Sequence, residues 1–235
     1  MKTKKLLSSC LLILFFTSVV SATAIMENSG WDVTIIPPAS ASVYLFTDGI
    51  GNDCLELELY KVFDSEMTEN DYYGQSIVLK FTKTSASAPN QIVIRDEYVE
   101  NATGQTWEDF HMQLSTQVDV DPQKVGFHPD YLFTPNTSLN PFQTVEFDEN
   151  SYTGMELDDN PTPILIHFRN GQIPNGTIWQ PGWQGSTEND IRILSNLQPG
   201  ESFLLKEFPT IPEPATFVLF GIGMVPALLV FRKRK

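Results

Sequence analysis

Cysteine is scarce in this sequence, and its scarcity excludes several kinds of site. The 235 residues contain two cysteines, Cys10 and Cys54. Cys10 lies in a segment that we expect to be removed on export, and one remaining thiol forms no internal disulfide. No cysteine pair is left to bind a metal ion. We therefore expect a body held together by its hydrophobic core, with Cys54 as a buried and inert thiol.

Basic residues are also few, and they are concentrated at the two ends. The chain has 15 Lys and Arg against 29 Asp and Glu, which gives a net charge of −14. Three of the basic residues lie among the first five residues and four are the last four. The part between is thus strongly acidic and repels phosphate backbones, which excludes nucleic acid as a partner. A hydrophobic fraction of 41% also argues against a disordered acidic chain.

The amino-terminal end has the pattern of a secretory signal. Lys2, Lys4 and Lys5 precede an apolar run over Leu6–Val20, and the small residues Ala22 and Ala24 follow. A basic region, an apolar region and an A-x-A site predict a signal peptide over residues 1–24. We expect the Sec translocon to export the chain and signal peptidase to cleave it after Ala24.

Between the two ends, short runs with a period of two predict strands rather than helices. Leu55, Leu57 and Leu59 would share one face of a strand while Glu56 and Glu58 share the other. The predicted strands are Trp31–Ile36, Ser42–Thr47, Leu55–Phe63, Ser76–Lys83, Gln91–Tyr98, Glu108–Val118, Thr144–Phe147, Pro163–Phe168, Asp190–Leu194 and Ser202–Phe208. Many such strands without intervening helices predict an all-β, antiparallel, immunoglobulin-like β-sandwich over residues 25–210.

The carboxy-terminal end combines three features in a fixed order. Pro212-Glu213-Pro214 is followed by the apolar run Ala215–Phe231 and then by the basic cluster Arg232-Lys233-Arg234-Lys235. Seventeen helical residues would span about 26 Å, close to the hydrocarbon thickness of about 30 Å. The basic cluster resists translocation, so the body would lie outside the cytoplasm. We therefore predict a transmembrane helix over residues 215–231.

These three features together resemble the PEP-CTERM sorting signal, over residues 211–235. The resemblance implies a substrate of exosortase, a membrane-embedded processing enzyme, in an exopolysaccharide-producing Gram-negative bacterium. It implies that Pro212, Glu213 and Pro214 form the sorting motif and that the cluster Arg232–Lys235 is a basic stop. Such a protein would pass through the inner membrane transiently. It would then reach the cell surface or the extracellular matrix, in association with exopolysaccharide or biofilm.

Two passages of the body carry weaker resemblances. The run Tyr98–Leu114 is similar to a hairpin frequent in the bodies of PEP-CTERM proteins. The run Leu197–Phe203 is similar to the turn before a late strand of immunoglobulin-like sandwiches, where Pro and Gly make the turn and Phe enters the core. Both favour a sandwich and imply no reaction.

Candidate catalytic and metal-binding residues do not form a recognisable motif. The three histidines, His111, His128 and His167, have no metal-ligand spacing, and no Ser/His/Asp set is assignable. We therefore predict a protein that is not an enzyme and that needs no cofactor. Acidic clusters in predicted turns are weak candidates for structural Ca²⁺, although most such clusters are solvated turns. They are Asp48–Asp53, Asp119 with Asp121, Asp148 with Glu149, and Asp158 with Asp159.

A pair of tryptophans is the candidate for contact with carbohydrate. Trp179 and Trp183 lie four residues apart in a predicted loop, and exposed indoles stack on sugar rings. Core packing is the commoner use of tryptophan. Two alternatives stay open at the level of function. One is a permanently membrane-anchored carbohydrate-binding or adhesin-like β-sandwich, and the other is a secreted hydrolase on a sandwich.

Overall fold

The computed structural model describes the greater part of the body of the chain and shows that it is nearly all β. The described residues are 23–25, 29–36, 41–50, 54–64, 76–117, 120–128, 141–148, 154, 156–157, 160–181 and 190–210. Within these ranges the one helical element is a 3₁₀ turn at Pro122–Lys124, and none is long and apolar enough to cross a membrane. The predicted transmembrane helix and most of the predicted signal peptide lie outside the described residues.

Fifteen strands form two large sheets and one small hairpin among the described residues. In chain order they are β1 Thr23–Ile25, β2 Trp31–Ile36, β3 Ala41–Ile50, β4 Cys54–Phe63, β5 Ile77–Lys83, β6 Gln91–Asn101, β7 Asp109–Thr116, β8 Val125–Phe127, β9 Thr144–Phe147, β10 Glu156–Leu157, β11 Asn160–Pro161, β12 Leu165–Arg169, β13 Thr177–Trp179, β14 Ile191–Ser195 and β15 Ser202–Thr210. The first sheet has the order β1-β2-β5-β15-β7-β12-β9. The second has the order β3-β4-β6-β14-β8, with β13 paired to β6, and β10 pairs with β11.

This architecture confirms the predicted sandwich, with one difference in strand direction. A strand occupies each of the ten predicted segments, with ends that differ by a few residues. The strands β1, β8, β10, β11 and β13 were not predicted, because two or three residues are too few to show a period. Every strand pair among the described residues is antiparallel except β4 with β6, which run parallel. The sheets are therefore antiparallel around one parallel pair at the middle of the second sheet.

The alternating pattern of β4 shows how the sequence directs side chains into the core. Leu55, Leu57 and Leu59 are fully buried between the sheets, whereas Glu56 and Glu58 lie on the outer face. The other strands contribute aromatic rings to the same core, and Phe81 stacks on Phe203 with 4.8 Å between ring centroids.

The turn before β15 has the geometry that its sequence predicts. The backbone N–H of Glu201 donates to the carbonyl of Gln198 at 3.0 Å, and Gly200 adopts a φ of +93° that favours glycine. Phe203 follows and is fully buried. The resemblance of residues 197–203 to a late sandwich turn is therefore reflected in the structure.

A buried lysine occupies a core position of β4. Lys61 continues the face of Leu55, Leu57 and Leu59, and its side chain is fully buried. Its Nζ donates to Glu97 on β6 at 2.5 Å and to Glu207 on β15. Since β6 and β15 belong to different sheets, these three residues form an ion cluster that joins the two layers. We call it the intersheet ion cluster.

The charges of the intersheet ion cluster balance when one carboxyl group is protonated. Burial raises the pKa of Glu207 well above its usual range, and the neighbouring Glu97 raises it further against the opposing effect of Lys61. Burial alone would lower the pKa of Lys61, but the charges of Glu207 and Glu97 raise it. A neutral Glu207 thus leaves one carboxyl group to balance the charge of Lys61 in the core. One carboxyl oxygen of Glu97 and one of Glu207 are buried without another hydrogen-bond partner. A proton on Glu207 allows these two oxygens to hydrogen-bond to each other.

Removal of the lysine should destabilise the fold strongly. In Lys61→Met the two buried carboxyl groups lose their cation, and we expect a loss of about 3–5 kcal/mol in the free energy of unfolding. Lys80→Met is the matched control, because Lys80 lies on the outer face of β5, and it should change the free energy by less than about 0.5 kcal/mol. Urea unfolding followed by circular dichroism measures both. Equal effects of the two substitutions would contradict a role for the cluster.

The substitution Glu207→Gln should retain the hydrogen bonds of a neutral Glu207. It replaces the carboxyl group by an amide that does not ionise. The amide oxygen would accept from Lys61 and the amide nitrogen would donate to Glu97. We therefore expect a loss below about 1.5 kcal/mol near pH 5. A carboxyl group with a raised folded pKa contributes stability that is present below its unfolded value of about 4.3 and is lost as the pH rises. The parent should consequently lose stability relative to Glu207→Gln between pH 5 and pH 8, and parallel pH profiles would show that Glu207 is ionised in the fold.

Candidate functional site

The last described strand leads directly to the predicted sorting segment. β15 lies between β5 and β7 in the first sheet and ends at Thr210, two residues before Pro212. Asp109, at the start of β7, fixes this end. Its carboxylate accepts the backbone N–H of Thr210 at 3.2 Å and also accepts the hydroxyl of that residue. The body is therefore ordered and anchored up to the edge of the segment that contains the motif.

Two histidines lie beside this junction, on the outer face of the first sheet. His111 on β7 and His167 on β12 occupy opposing positions in the register, and their Nδ1 atoms are 2.6 Å apart. That separation requires one Nδ1–H donor and one Nδ1 lone pair. Asp109 approaches Nε2 of His111 at 3.5 Å, and Asp148 approaches Nε2 of His167 at 3.6 Å. The ring of Phe208 lies 5.0 Å from that of His111.

The surroundings of this histidine pair favour a neutral His167. Burial lowers the pKa of His167, and His111 and Arg169 lower it further, against the opposing effect of Asp148. Glu146, which faces His167 across the β9–β12 pair, bonds Arg169 at 2.7 Å. Protonation of both rings would direct two N–H groups at each other. Protonation of both rings would therefore break this link between β7 and β12.

Stability should consequently fall as the pH falls below neutrality. The unfolded chain protonates its histidine near pH 6.5, whereas the folded chain resists protonation of His167, so acid favours unfolding. Between pH 7.5 and pH 5.5 this residue accounts for at most about 1.4 kcal/mol. His167→Gln should remove that contribution, so the variant should be less sensitive to pH than the parent. His128→Gln is the control, because it removes a half-exposed histidine after β8. Urea unfolding at the two pH values measures the effect, and identical pH dependence in all three proteins would contradict it.

Most of the residues predicted for sorting lie outside the described residues. These are Pro212, Glu213, Pro214, Arg232, Lys233, Arg234, Lys235 and Ala22. Ala24 lies in β1, where its backbone pairs with Val33 of β2. Cleavage after Ala24 would leave only Ile25 of β1 and would make β2 the edge strand of the first sheet.

The structure corrects the expectation for Trp179. This residue is 2% exposed, and its indole packs edge to face on Phe110, Phe142 and Phe168 at centroid distances of 4.9 to 5.1 Å. A buried indole has no free face for a sugar ring, so Trp179 is a core residue. Trp183 lies outside the described residues.

The predicted calcium ligands are only partly within the described residues. Asp121 accepts the backbone N–H of Gln123 at 2.9 Å and caps the 3₁₀ turn, and Asp148 approaches His167. Among the residues that the structure describes, no three His, Cys, Asp or Glu side chains are grouped as metal ligands. Cys54 is partly exposed, and burial together with Glu56 raises the pKa of its thiol.

Sequence reasoning did not identify the histidine pair or the intersheet ion cluster. His111 and His167 are 56 residues apart in the chain, and only the pairing of β7 with β12 brings them together. A signal for the cluster was present in the lysine at an apolar position of the β4 alternation. Its partners on β6 and β15 depend on the register of other strands.

Comparison with known proteins agrees with the analysis of the carboxy-terminal segment. The family model of the PEP-CTERM protein-sorting motif matches residues 210–235. No curated protein and no solved structure matches the chain. The chain thus carries a PEP-CTERM protein-sorting motif that begins at the last residue of β15. Such a motif supports exosortase-dependent sorting of an exported, surface-directed protein.

Proposed function

We propose that this chain is a non-enzymatic protein of the cell surface or extracellular matrix, processed by an exosortase and associated with exopolysaccharide or biofilm. The match of the sorting motif to residues 210–235 carries the proposal. In the proposed route, the Sec translocon exports the chain and signal peptidase removes residues 1–24. The segment 215–231 holds the body outside the inner membrane until exosortase acts at Pro212–Pro214.

The position of the motif relative to the body suits this route. Ile211 is the one residue between the end of β15 and Pro212. Pro212 and Pro214 restrict φ to about −65° and disfavour a helical conformation before them, so the sequence favours an extended backbone at the motif. An extended segment between a folded body and a membrane anchor is accessible to the cleft of a processing enzyme. Because every described strand precedes the motif, cleavage there removes no strand from either sheet.

The use of the buried polar side chains supports a structural role for the body. Lys61, Glu97 and Glu207 join the two sheets, and His111 and His167 join two strands. The raised pKa of the Cys54 thiol disfavours the thiolate that a nucleophile requires. These groups are all explained by packing and strand pairing, without a substrate.

Replacement of the motif should block processing. We expect the Pro212→Ala, Glu213→Ala, Pro214→Ala triple variant to stay in the inner membrane at full length, because the residues that exosortase reads are absent. The parent should lose its carboxy-terminal segment and reach the cell surface. Expression in a bacterium with an exosortase, followed by fractionation and intact mass measurement, compares the two. At least about a tenfold drop in the surface fraction is expected, since motif recognition is needed for release.

A matched control replaces two other prolines. The Pro37→Ala, Pro38→Ala variant changes the same residue type far from the motif in the sequence and should be processed like the parent. If the triple variant is also processed like the parent, sorting through this motif is wrong. If the mature parent still ends at Lys235, the chain is instead a permanently anchored protein of the adhesin class.

A further inference from the structure

We propose that the outer face of the second sheet binds neutral glycans through a row of three tyrosines. Tyr44 on β3, Tyr60 on β4 and Tyr98 on β6 occupy consecutive positions across three neighbouring strands. The centroids of their rings are 5.9 Å and 6.2 Å apart. We call this set the tyrosine row.

The tyrosine row forms the floor of an open groove. The groove has a volume of about 510 Å³, which lies in the range of small-ligand sites. Ile178 on β13 closes one end of it. Tyr44 and Ile178 are 55% and 54% exposed, and Ile36 is the one other large apolar side chain so exposed among the described residues. Two of three such side chains therefore meet in one groove, which marks it as an interaction surface.

Two carboxylates flank the tyrosine row, Glu58 in the lining of the groove and Glu100 beside it. Glu58 lies two residues before Tyr60 on the same face of β4, and Glu100 lies two residues after Tyr98 on the same face of β6. The hydroxyl of Tyr60 donates to Glu100 at 2.5 Å, which fixes both side chains. No lysine, arginine or histidine is among the described residues that line the groove. The two carboxylates thus offer hydrogen-bond acceptors on either side of the row and repel anions.

A neutral glycan fits this combination of surfaces. A sugar ring has an apolar C–H face that packs on aromatic rings and hydroxyl groups that donate to carboxylates. The three rings are tilted by 56° and 36° between neighbours and follow one another in a line, so they offer a strip for consecutive sugar units. An organic cation would also be attracted by tyrosine and glutamate, but rings that surround one point suit it better than a line of rings. Phosphorylated, sulfated or uronic ligands are disfavoured by the two glutamates and by the net charge of −14.

The choice of glycans as the ligand class rests on the proposed association with exopolysaccharide. The binding itself does not depend on processing of the chain by exosortase. The test uses the full-length chain in a detergent without a sugar headgroup, because a glycosidic detergent would compete for the groove. Isothermal titration calorimetry with cellohexaose, maltohexaose and mannohexaose measures binding. Tetramethylammonium chloride is titrated as the organic-cation probe.

Variants on the tyrosine row should change the affinity and leave the fold intact. We expect at least one of the three oligosaccharides to bind, and Tyr44→Ala to raise its Kd about tenfold through the loss of one stacked ring. Tyr44→Phe keeps the ring and should bind like the parent. Ile36→Ala is the control for the loss of an exposed apolar side chain, on the other sheet. Circular dichroism of each variant shows whether the fold is unchanged.

Three results would overturn the proposal. They are failure of all three oligosaccharides to bind, equal affinity of Tyr44→Ala and the parent, and binding of tetramethylammonium alone. The triple variant of Pro212, Glu213 and Pro214 should bind the oligosaccharide like the parent. Failure of glycan binding is therefore distinguishable from failure of sorting.

Discussion

The burial of Lys61 is the constraint on which the arrangement of the two sheets depends. A charged ammonium group is tolerated in a core only where carboxyl groups compensate it, and here they come from both layers. The sheets cannot slide past each other by one residue without separating Lys61 from Glu207 and leaving a charge unpaired. Apolar contacts among leucine and phenylalanine side chains tolerate such shifts far better, since they are not directional. The cluster thus fixes the relative position of β4, β6 and β15, and β15 is the strand that ends at the sorting motif.

A single irregularity in β6 connects the core with the outer groove. The register between β4 and β6 shifts where Leu57 faces Ile94 and Glu58 faces Asp96, so β6 has one extra residue there, Arg95. Before the shift the even-numbered Ile92 and Ile94 face the core, and after it the odd-numbered Glu97 and Val99 do. Because side chains alternate along a strand, one inserted residue exchanges the two faces beyond it. The bulge therefore turns Glu97 towards Lys61 and, by the same step, turns Tyr98 outwards to complete the tyrosine row.

The bulge also illustrates which parts of the molecule can be predicted from the sequence and which depend on the register between strands. The ten longer strands and the sandwich follow from local alternation, which each segment carries in its own residues. The parallel pairing of β4 with β6, the contact between His111 and His167, and the partners of Lys61 depend on register between segments far apart in the chain. The prediction for Trp179 was wrong for a related reason. Its neighbours Pro181 and Gly182 are typical of an exposed loop, but β13 pairs with β6 and places the indole among Phe110, Phe142 and Phe168.

The sorting motif and the tyrosine row also differ in how far each can be predicted from the sequence. The difference follows from what each one presents for recognition. The sorting motif is a contiguous run of residues, so the order of residues carries the information and a family model finds it. The tyrosine row exists only when β3, β4 and β6 pair in their actual register. Tyr44, Tyr60 and Tyr98 are otherwise separate residues in three alternating segments. A chain of this kind can therefore retain a readable sorting motif while its binding surface changes by one residue of register, because the matched segment begins at Thr210, the last residue of β15.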